Sequence, residues 1–362
     1  MIKGFYLLTT SKTERDLKKL KYNNESIVLI IENKLDKFLI NNNLYSKTLE
    51  AALVGGQYEN QLLEEYLYFP YKEYDSYISQ LNNLNLIGYK RNDIEQVFNF
   101  LTKDEIDIII QKEVQIDNLV SYISNDYFNI NALDRYLQYK QENNSYAYDE
   151  VISRVNMSLD YPFYENTIEV PDPNDILVIV NKYYKLPKDF VPKKLIKIDN
   201  KYSYYDYGFQ IASTVKDKFK QMANDAEKEG LIIKVTSAYR SYQKQMGIYN
   251  GYVKKNGFEA AEMFSARPGY SEHQTGLAID VISGNNPYSY FQTTKEYKWL
   301  KDNAHKYGFI LRYPENRSDI TGYSFESWHY RYVGEEVAKY IYENNLTFDE
   351  YHAMMKNKKT NK

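Results

Sequence analysis

The 362-residue sequence has no cysteine. That excludes disulfides, thiol nucleophiles and any Cys-ligated zinc or iron–sulfur site. It says little about compartment, because an exported protein can equally be cysteine-free. No run of about 18 apolar residues occurs, which excludes a transmembrane helix. The opening Met1–Thr10 carries one lysine and an apolar stretch shorter than the roughly 7–15-residue core of a secretory signal. Two readings stay open: a cytoplasmic chain, or one whose export segment lies upstream of this sequence. Charge of one sign is missing too. The 46 Lys+Arg face 49 Asp+Glu for a net −3, which argues against nucleic acid as a partner. Histidine is scarce, so any imidazole chemistry must use His273, His305, His329 or His352.

What is present is globular in character, with 43% hydrophobic and 26% charged residues. At roughly 100–200 residues per domain, the length predicts two domains. Proline marks the boundary. Pro70 is the only proline before Pro162, and Pro162, Pro171, Pro173, Pro187 and Pro192 then crowd together. Proline donates no backbone hydrogen bond and restricts the residue before it, so this density ends regular structure. The organisation predicted is a mostly helical domain over 1–161, a linker over 162–175, a second domain over 176–350 and a basic tail over 351–362. In the first domain, Leu17, Leu20, Tyr22, Ile27 and Ile30 share one register with Leu84, Ile87, Tyr89, Ile94 and Val97. This reads as a repeated helix–turn–helix unit, with a weaker third copy over Leu62–Leu81, or as two amphipathic helix pairs alike only in composition. The 40 Tyr suit half-buried amphipathic positions, with a minority available to a glycan-contacting surface.

The second domain mixes element types. Ile211, Val215, Phe219, Met222 and Ala226 recur at helical spacing up to Gly230. Ile176–Val180, Leu231–Thr236, Gly276–Ile282, Phe309–Tyr313 and Tyr323–Val333 read as strands. Ser241–Lys255 and Glu335–Tyr342 read as helices. Thr293 and Glu296 suggest a capping box before a further helix. Helices and strands that do not alternate regularly indicate an α+β fold.

Two histidines sit in conspicuous surroundings. His273 lies in SEHQTGLAID, a polar turn leading into an apolar strand that ends on Asp280, and His329 lies in FESWHYR. Two imidazoles and a carboxylate make a three-ligand set that leaves a fourth zinc position open to water. The competing account is plain. A lone His beside Trp328 is more often packed or surface-exposed than a ligand, and Asp280 could cap a turn. Chemistry at such a metal needs a carboxylate to move protons. Glu326 is the candidate, given a bend before His329. Glu272 ranks behind it, because neighbouring strand residues face opposite sides. His305 falls off the apolar helix face and reads as solvated. His352 lies in the tail and reads as uninvolved.

SEHQTGLAID and ESWHYRYVG, with SAYRSYQKQ before them and GFILRYP between, resemble the VanY-like zinc D-alanyl-D-alanine carboxypeptidases over about residues 170–345. The resemblance implies a small, mostly antiparallel sheet flanked by helices, of the hedgehog/D-Ala-D-Ala peptidase type. It implies one Zn²⁺ on His273, Asp280 and His329, with Glu326 as the catalytic carboxylate. Arg240 matches a substrate-contacting arginine that polarises the carbonyl, stabilises the oxyanion or clamps the terminal carboxylate. Gln245 and Ser271 match substrate-binding positions suited to a free carboxylate. Ser327 stands where the family often has proline. The implied activity is removal of C-terminal D-Ala from peptidoglycan stem peptides outside the cytoplasmic membrane. The alternatives are an L,D-carboxypeptidase, an endopeptidase with a longer cleft, and a catalytically idle wall-binding protein. Idleness would leave Glu326 without a use.

Overall fold

The computed structural model describes residues 11–205, 207–284 and 288–358. Met1–Thr10, on which the export-signal reading rests, and 359–362 of the expected tail lie outside them. Among the described residues no helix is long and apolar enough to cross a membrane. The chain divides into two compact units between Leu133 and Asp134, ahead of the expected linker.

The N-terminal unit is made of short helices. Ser11, Asn23, Ser46 and Thr102 each accept a backbone N–H at a helix start, where four such donors otherwise go unpaired. Leu17, Tyr22, Ile27 and Ile30 are buried, and so are Leu84, Tyr89, Ile94 and Val97. In both sets the tyrosine hydroxyl donates to a later carbonyl: Tyr22 to Leu44 O at 3.4 Å and Tyr89 to Val114 O at 2.8 Å. These tyrosines are core residues with a paired polar tip. The Leu62–Leu81 stretch differs, since a longer connection containing Pro70 separates Leu63–Tyr68 from Tyr77–Leu86.

The C-terminal unit is α+β. Its central sheet runs β5 (Ile233–Ser237), β6 (Ala278–Ser283), β8 (His329–Tyr332), β7 (Phe309–Leu311), all antiparallel. Before it come two small two-stranded sheets. One pairs β1 (Ile168–Glu169) with β2 (Tyr184–Lys185), and the other pairs β3 (Leu195–Lys197) with β4 (Gln210–Ala212). Side chains alternate across a strand. Ile233, Val235, Ile279, Val281, Phe309, Tyr330 and Tyr332 therefore enter one core, against Val215, Phe219, Met222 and Ala226 of helix Ser213–Lys228 and Trp299 and Leu300 of helix Lys295–Asn303. Asp280, His329 and Arg331 fall on the opposite face. There, Ile310 joins Ile179, Val333, Ala338, Ile341 and Phe348 in a second core.

Several expectations change. Ile176–Val180 is no strand, although Val178–Val180 are buried. Its carbonyls are taken by a side chain instead, with Arg331 Nη2 donating to Ile176 O and Val178 O. Within the expected linker, Tyr164 packs under the Arg267 guanidinium and meets the Tyr323 hydroxyl at 3.3 Å, so the segment is docked on its own unit. Helix Tyr148–Asn156 belongs to this unit too, through Arg154–Asp319 and a cluster of Met157, Ile320 and Ala353. Of the expected tail, Phe348–Asn357 is a helix, capped by Thr347 and Glu350. The Lys295 helix is capped by Thr294, while Glu296 turns to Ile232 N. Strand structure in 323–333 is confined to His329–Tyr332, because 327–328 form a turn.

Gly308 makes the turn into β7. It has φ +85°, and an added Cβ would lie 2.6 Å from the Tyr332 ring and 3.0 Å from the Gly334 backbone. Gly308→Ala should therefore destabilise this unit by about 1–3 kcal/mol. Trp299 and Trp328, the only tryptophans, both lie in it. Urea unfolding followed by their fluorescence should show a lower midpoint; an unchanged one would refute the constraint.

Candidate functional site

The register of β6 against β8 brings the first two functional side chains together. Asp280 and His329 are directly paired across the two strands, on the same face. Asp280 Oδ1 lies 2.9 Å from His329 Nδ1. His273 arrives from the 3₁₀ turn Glu272–Thr275 that feeds β6. Gly276 reverses the chain there with φ +68°, where an added Cβ would stand 3.1 Å from Leu195 and 3.2 Å from the Ala212 backbone. The turn swings His273 Nε2 to 3.3 Å from Asp280 Oδ2. One ligand atom from each of His273, Asp280 and His329 lies within 4.8 Å of the others, a group that could hold a metal ion.

Hydrogen bonding decides which nitrogens are available. Ala238 O can only accept, so His273 Nδ1, at 2.7 Å, carries the proton and Nε2 keeps its lone pair. That Nε2 is buried and has no hydrogen-bond partner among the described residues. A buried unpaired acceptor is costly, and a cation beside Asp280 would satisfy it. On His329 both nitrogens face carboxylates, Nε2 at 3.4 Å from Glu272 Oε2 and Nδ1 at 2.9 Å from Asp280 Oδ1, and a metal ion beside Asp280 would take the place of the proton on Nδ1. Two imidazole nitrogens and one carboxylate, with room beside them, are a donor set that suits zinc with an open position. Fit and chemistry agree.

The charges are correspondingly perturbed. Burial and the Arg240 charge lower His273 to about 4. Burial opposes a charge on His329, but hydrogen bonds to Asp280 and Glu272 raise it to about 9. Burial would raise Asp280, yet the two imidazoles hold it well below the usual carboxylate range. Burial raises Glu326 to about 7, against the pull of His329.

Glu326 is placed by the turn ahead of β8. Its N–H donates to Tyr313 O, its carbonyl accepts from His329 N, and its Oε2 sits 3.9 Å from His329 Nδ1. Glu272, the rival carboxylate, also borders the cleft, but both its oxygens are already engaged, and strand alternation plays no part because 272–275 is a 3₁₀ turn. Its Oε1 accepts from Arg312 Nε at 2.8 Å and Arg331 Nη1 at 3.0 Å, and its Oε2 accepts from His329. Burial would raise Glu272, but Arg312 and Arg331 hold it well below normal.

The metal group and Glu326 open onto a cleft of about 280 Å³ that Arg240, Gln245 and Ser271 also line. Among the described residues Arg240 has no ion-pair partner, and its Nε is buried without a hydrogen bond. Gln245 donates Nε2–H to Ala266 O at 2.8 Å and leaves its acceptor Oε1 unpaired. That oxygen suits a peptide N–H better than a carboxylate. The aromatic walls, Tyr252, Phe264, Tyr313, Tyr323 and Trp328, were not singled out from the sequence. Tyr313 and Trp328 lie inside the quoted GFILRYP and ESWHYRYVG, and Tyr323 stands three residues before the latter, so membership of or proximity to a motif was the available signal. His305 and His352 lie outside this cleft. His305 is half-buried and stacked on Tyr342 at 3.8 Å, and His352 packs edge-on to Tyr184 within helix Phe348–Asn357.

The family model for VanY, D-alanyl-D-alanine carboxypeptidase, matches residues 208–335. The chain is 42% identical over 192 residues to "Putative carboxypeptidase YodJ" of Bacillus subtilis (strain 168), covering 52% of this chain and 70% of that protein. It is 32% identical over 183 residues to the bifunctional D-Ala-D-Ala dipeptidase and D-Ala-D-Ala carboxypeptidase VanXYC of Enterococcus gallinarum, covering 49% of this chain and 93% of that one. The solved structure of the LdcB LD-carboxypeptidase is similar with a TM-score of 0.50 and 40% identity, covering 54% of this chain and 92% of that chain. Through its C-terminal half, the chain belongs to the VanY family of D-alanyl-D-alanine carboxypeptidases.

Proposed function

We propose that this carboxypeptidase is zinc-dependent and removes the C-terminal D-Ala from peptidoglycan stem peptides, cutting the D,D bond of a pentapeptide. One observation carries the reading: the metal group, Glu326 and an arginine without an ion pair among the described residues converge on one small cleft. His273 Nε2, His329 Nδ1 and the Asp280 carboxylate would hold the zinc. Bound there, zinc supplies Lewis acidity that polarises the scissile carbonyl and makes water a usable nucleophile near neutral pH.

The remaining roles belong to the chain. Hydrolysis adds the water oxygen to the carbonyl carbon of the penultimate residue and breaks its bond to the D-Ala nitrogen. Glu326 accepts a proton from the water and delivers one to the departing amine. Arg240 has donors to spare and serves the developing oxyanion or the terminal carboxylate of the substrate. The unpaired Gln245 Oε1 accepts a substrate N–H, and Ser271 offers its hydroxyl on the same wall. A small cleft with a cationic residue suits removal of one terminal residue better than internal cutting. Such substrates place the enzyme outside the cytoplasmic membrane, at the cell wall.

A second reading is favoured by the LdcB likeness: cleavage of the L,D bond of a tetrapeptide. Defined penta- and tetrapeptide muropeptides, with products identified by mass, separate the two.

Two outcomes check the site. Zinc binds the native state and should raise the melting temperature of the wild type by mass action, whereas His273→Ala should show no such rise. An equal rise in both would remove His273 from the ligand set. Glu326→Gln should keep the zinc-dependent rise but lose about 10²–10⁴-fold in turnover, the range of a lost general acid–base. Undiminished D-Ala release by that variant would refute its role.

A further inference from the structure

Behind the metal group lies a chain of buried charges that the reaction above does not use. Arg312 stands between two carboxylates. Its Nε donates to Glu272 Oε1 at 2.8 Å, and its Nη1 and Nη2 donate to Asp349 Oδ2 at 2.6 Å and Asp349 Oδ1 at 3.3 Å. Asn181 Nδ2 donates to Asp349 Oδ1 at 2.7 Å, and Asn181 Oδ1 is itself fixed by the N–H groups of Tyr183 and Tyr184. Arg331 adds the second guanidinium on Glu272 Oε1. Glu272, Arg312, Arg331 and Asp349 are all buried. Asp349, on helix Phe348–Asn357, and Asn181 both lie outside residues 208–335 that match the family.

We propose that Asp349, Arg312 and Glu272 act as a positioning relay that fixes the His329 ring as a metal ligand, so that the C-terminal helix is part of the catalytic unit. The proposal rests on the reading of His329 as a ligand. Its logic is a division of lone pairs. Both guanidiniums bind Glu272 Oε1, and Oε2 is left for the His329 Nε2–H. That contact sets the ring's tautomer and rotation and raises the basicity of Nδ1, as carboxylates behind metal-bound imidazoles do. Arg312 holds its place because its rigid fork spans two carboxylates, which the single ammonium of a lysine cannot match. Asp349 balances the Arg312 charge. Without it, the surplus cation would draw on Glu272 at the expense of His329.

The test uses the full chain with zinc affinity measured by chelator competition, the absorption spectrum of the cobalt(II)-loaded protein, and melting of the metal-free protein to confirm folding. Glu272→Gln should weaken zinc binding by about 10–100-fold and shift the cobalt bands. Asp349→Asn should move both in the same direction by less. The double variant should be no weaker than Glu272→Gln alone, because Asp349 acts only through Glu272. Arg312→Lys keeps the charge without the fork and should behave like Asp349→Asn; it is the substitute if that variant does not fold. Arg135→Gln breaks another ion pair of this unit, to Asp160, and should leave zinc affinity unchanged. A folded Asp349→Asn or Arg312→Lys with wild-type affinity and spectrum overturns the relay, as do additive losses in the double variant. His329→Ala separates the two levels. Wild-type affinity in that variant refutes the ligand reading itself, whereas its loss beside an unaffected Glu272→Gln refutes only the relay.

Discussion

Asp280 and His329 stand opposite each other on neighbouring antiparallel strands, and the rest of the C-terminal unit has to preserve that pairing. A slip of one residue would turn His329 into the apolar core and bring Tyr330 onto the metal face. The register is held from both sides. Tyr330 and Tyr332 are seated in the core with Ile279, Val281 and Phe309, and the turn at Gly308 lets β7 pair against β8. His273 and Glu326 are then fixed by short local devices, a 3₁₀ turn closed by Gly276 and a tight turn before β8. The site is therefore a property of the sheet's register more than of any loop.

That explains which parts of the molecule the sequence discloses. Periodicity identified helix Ser213–Lys228, because a surface helix on a sheet must bury one stripe, although Ile211 of the same register ends up on β4. Ser241 marks the start of helix Tyr242–Asn256 by capping it. His273, Asp280, His329 and Glu326 stood out because each lies within a short segment of unusual residue types. Arg312, Arg331 and Asp349 did not. Each reads as an ordinary charged residue, and each takes its meaning from partners far away in the chain: Arg312 from Glu272 and Asp349, Arg331 from Glu272 and the carbonyls of 176 and 178. Such pairings have no local signature. The same blindness made Ile176–Val180 look like a strand, since composition records that a segment is apolar and not whether a ladder or a guanidinium satisfies its carbonyls.

Stability alone gives weak grounds for that buried ionic cluster. Desolvating a carboxylate and a guanidinium costs several kcal/mol per ion by general experience, and well-packed apolar residues can be as stable in their place. The cluster here has two cations and two anions, all buried, with hydrogen bonds on every carboxylate oxygen. A merely stabilising role would be served by any packing that filled the volume. What an apolar replacement could not do is present one carboxylate oxygen to the far nitrogen of His329 while holding the other oxygen out of reach. Direction, rather than energy, is what the four charges supply. They also tie segment 176–181 and helix Phe348–Asn357 to the face that carries His329, so on the proposed relay the site leans on residues that flank the family-matched 208–335 at both ends.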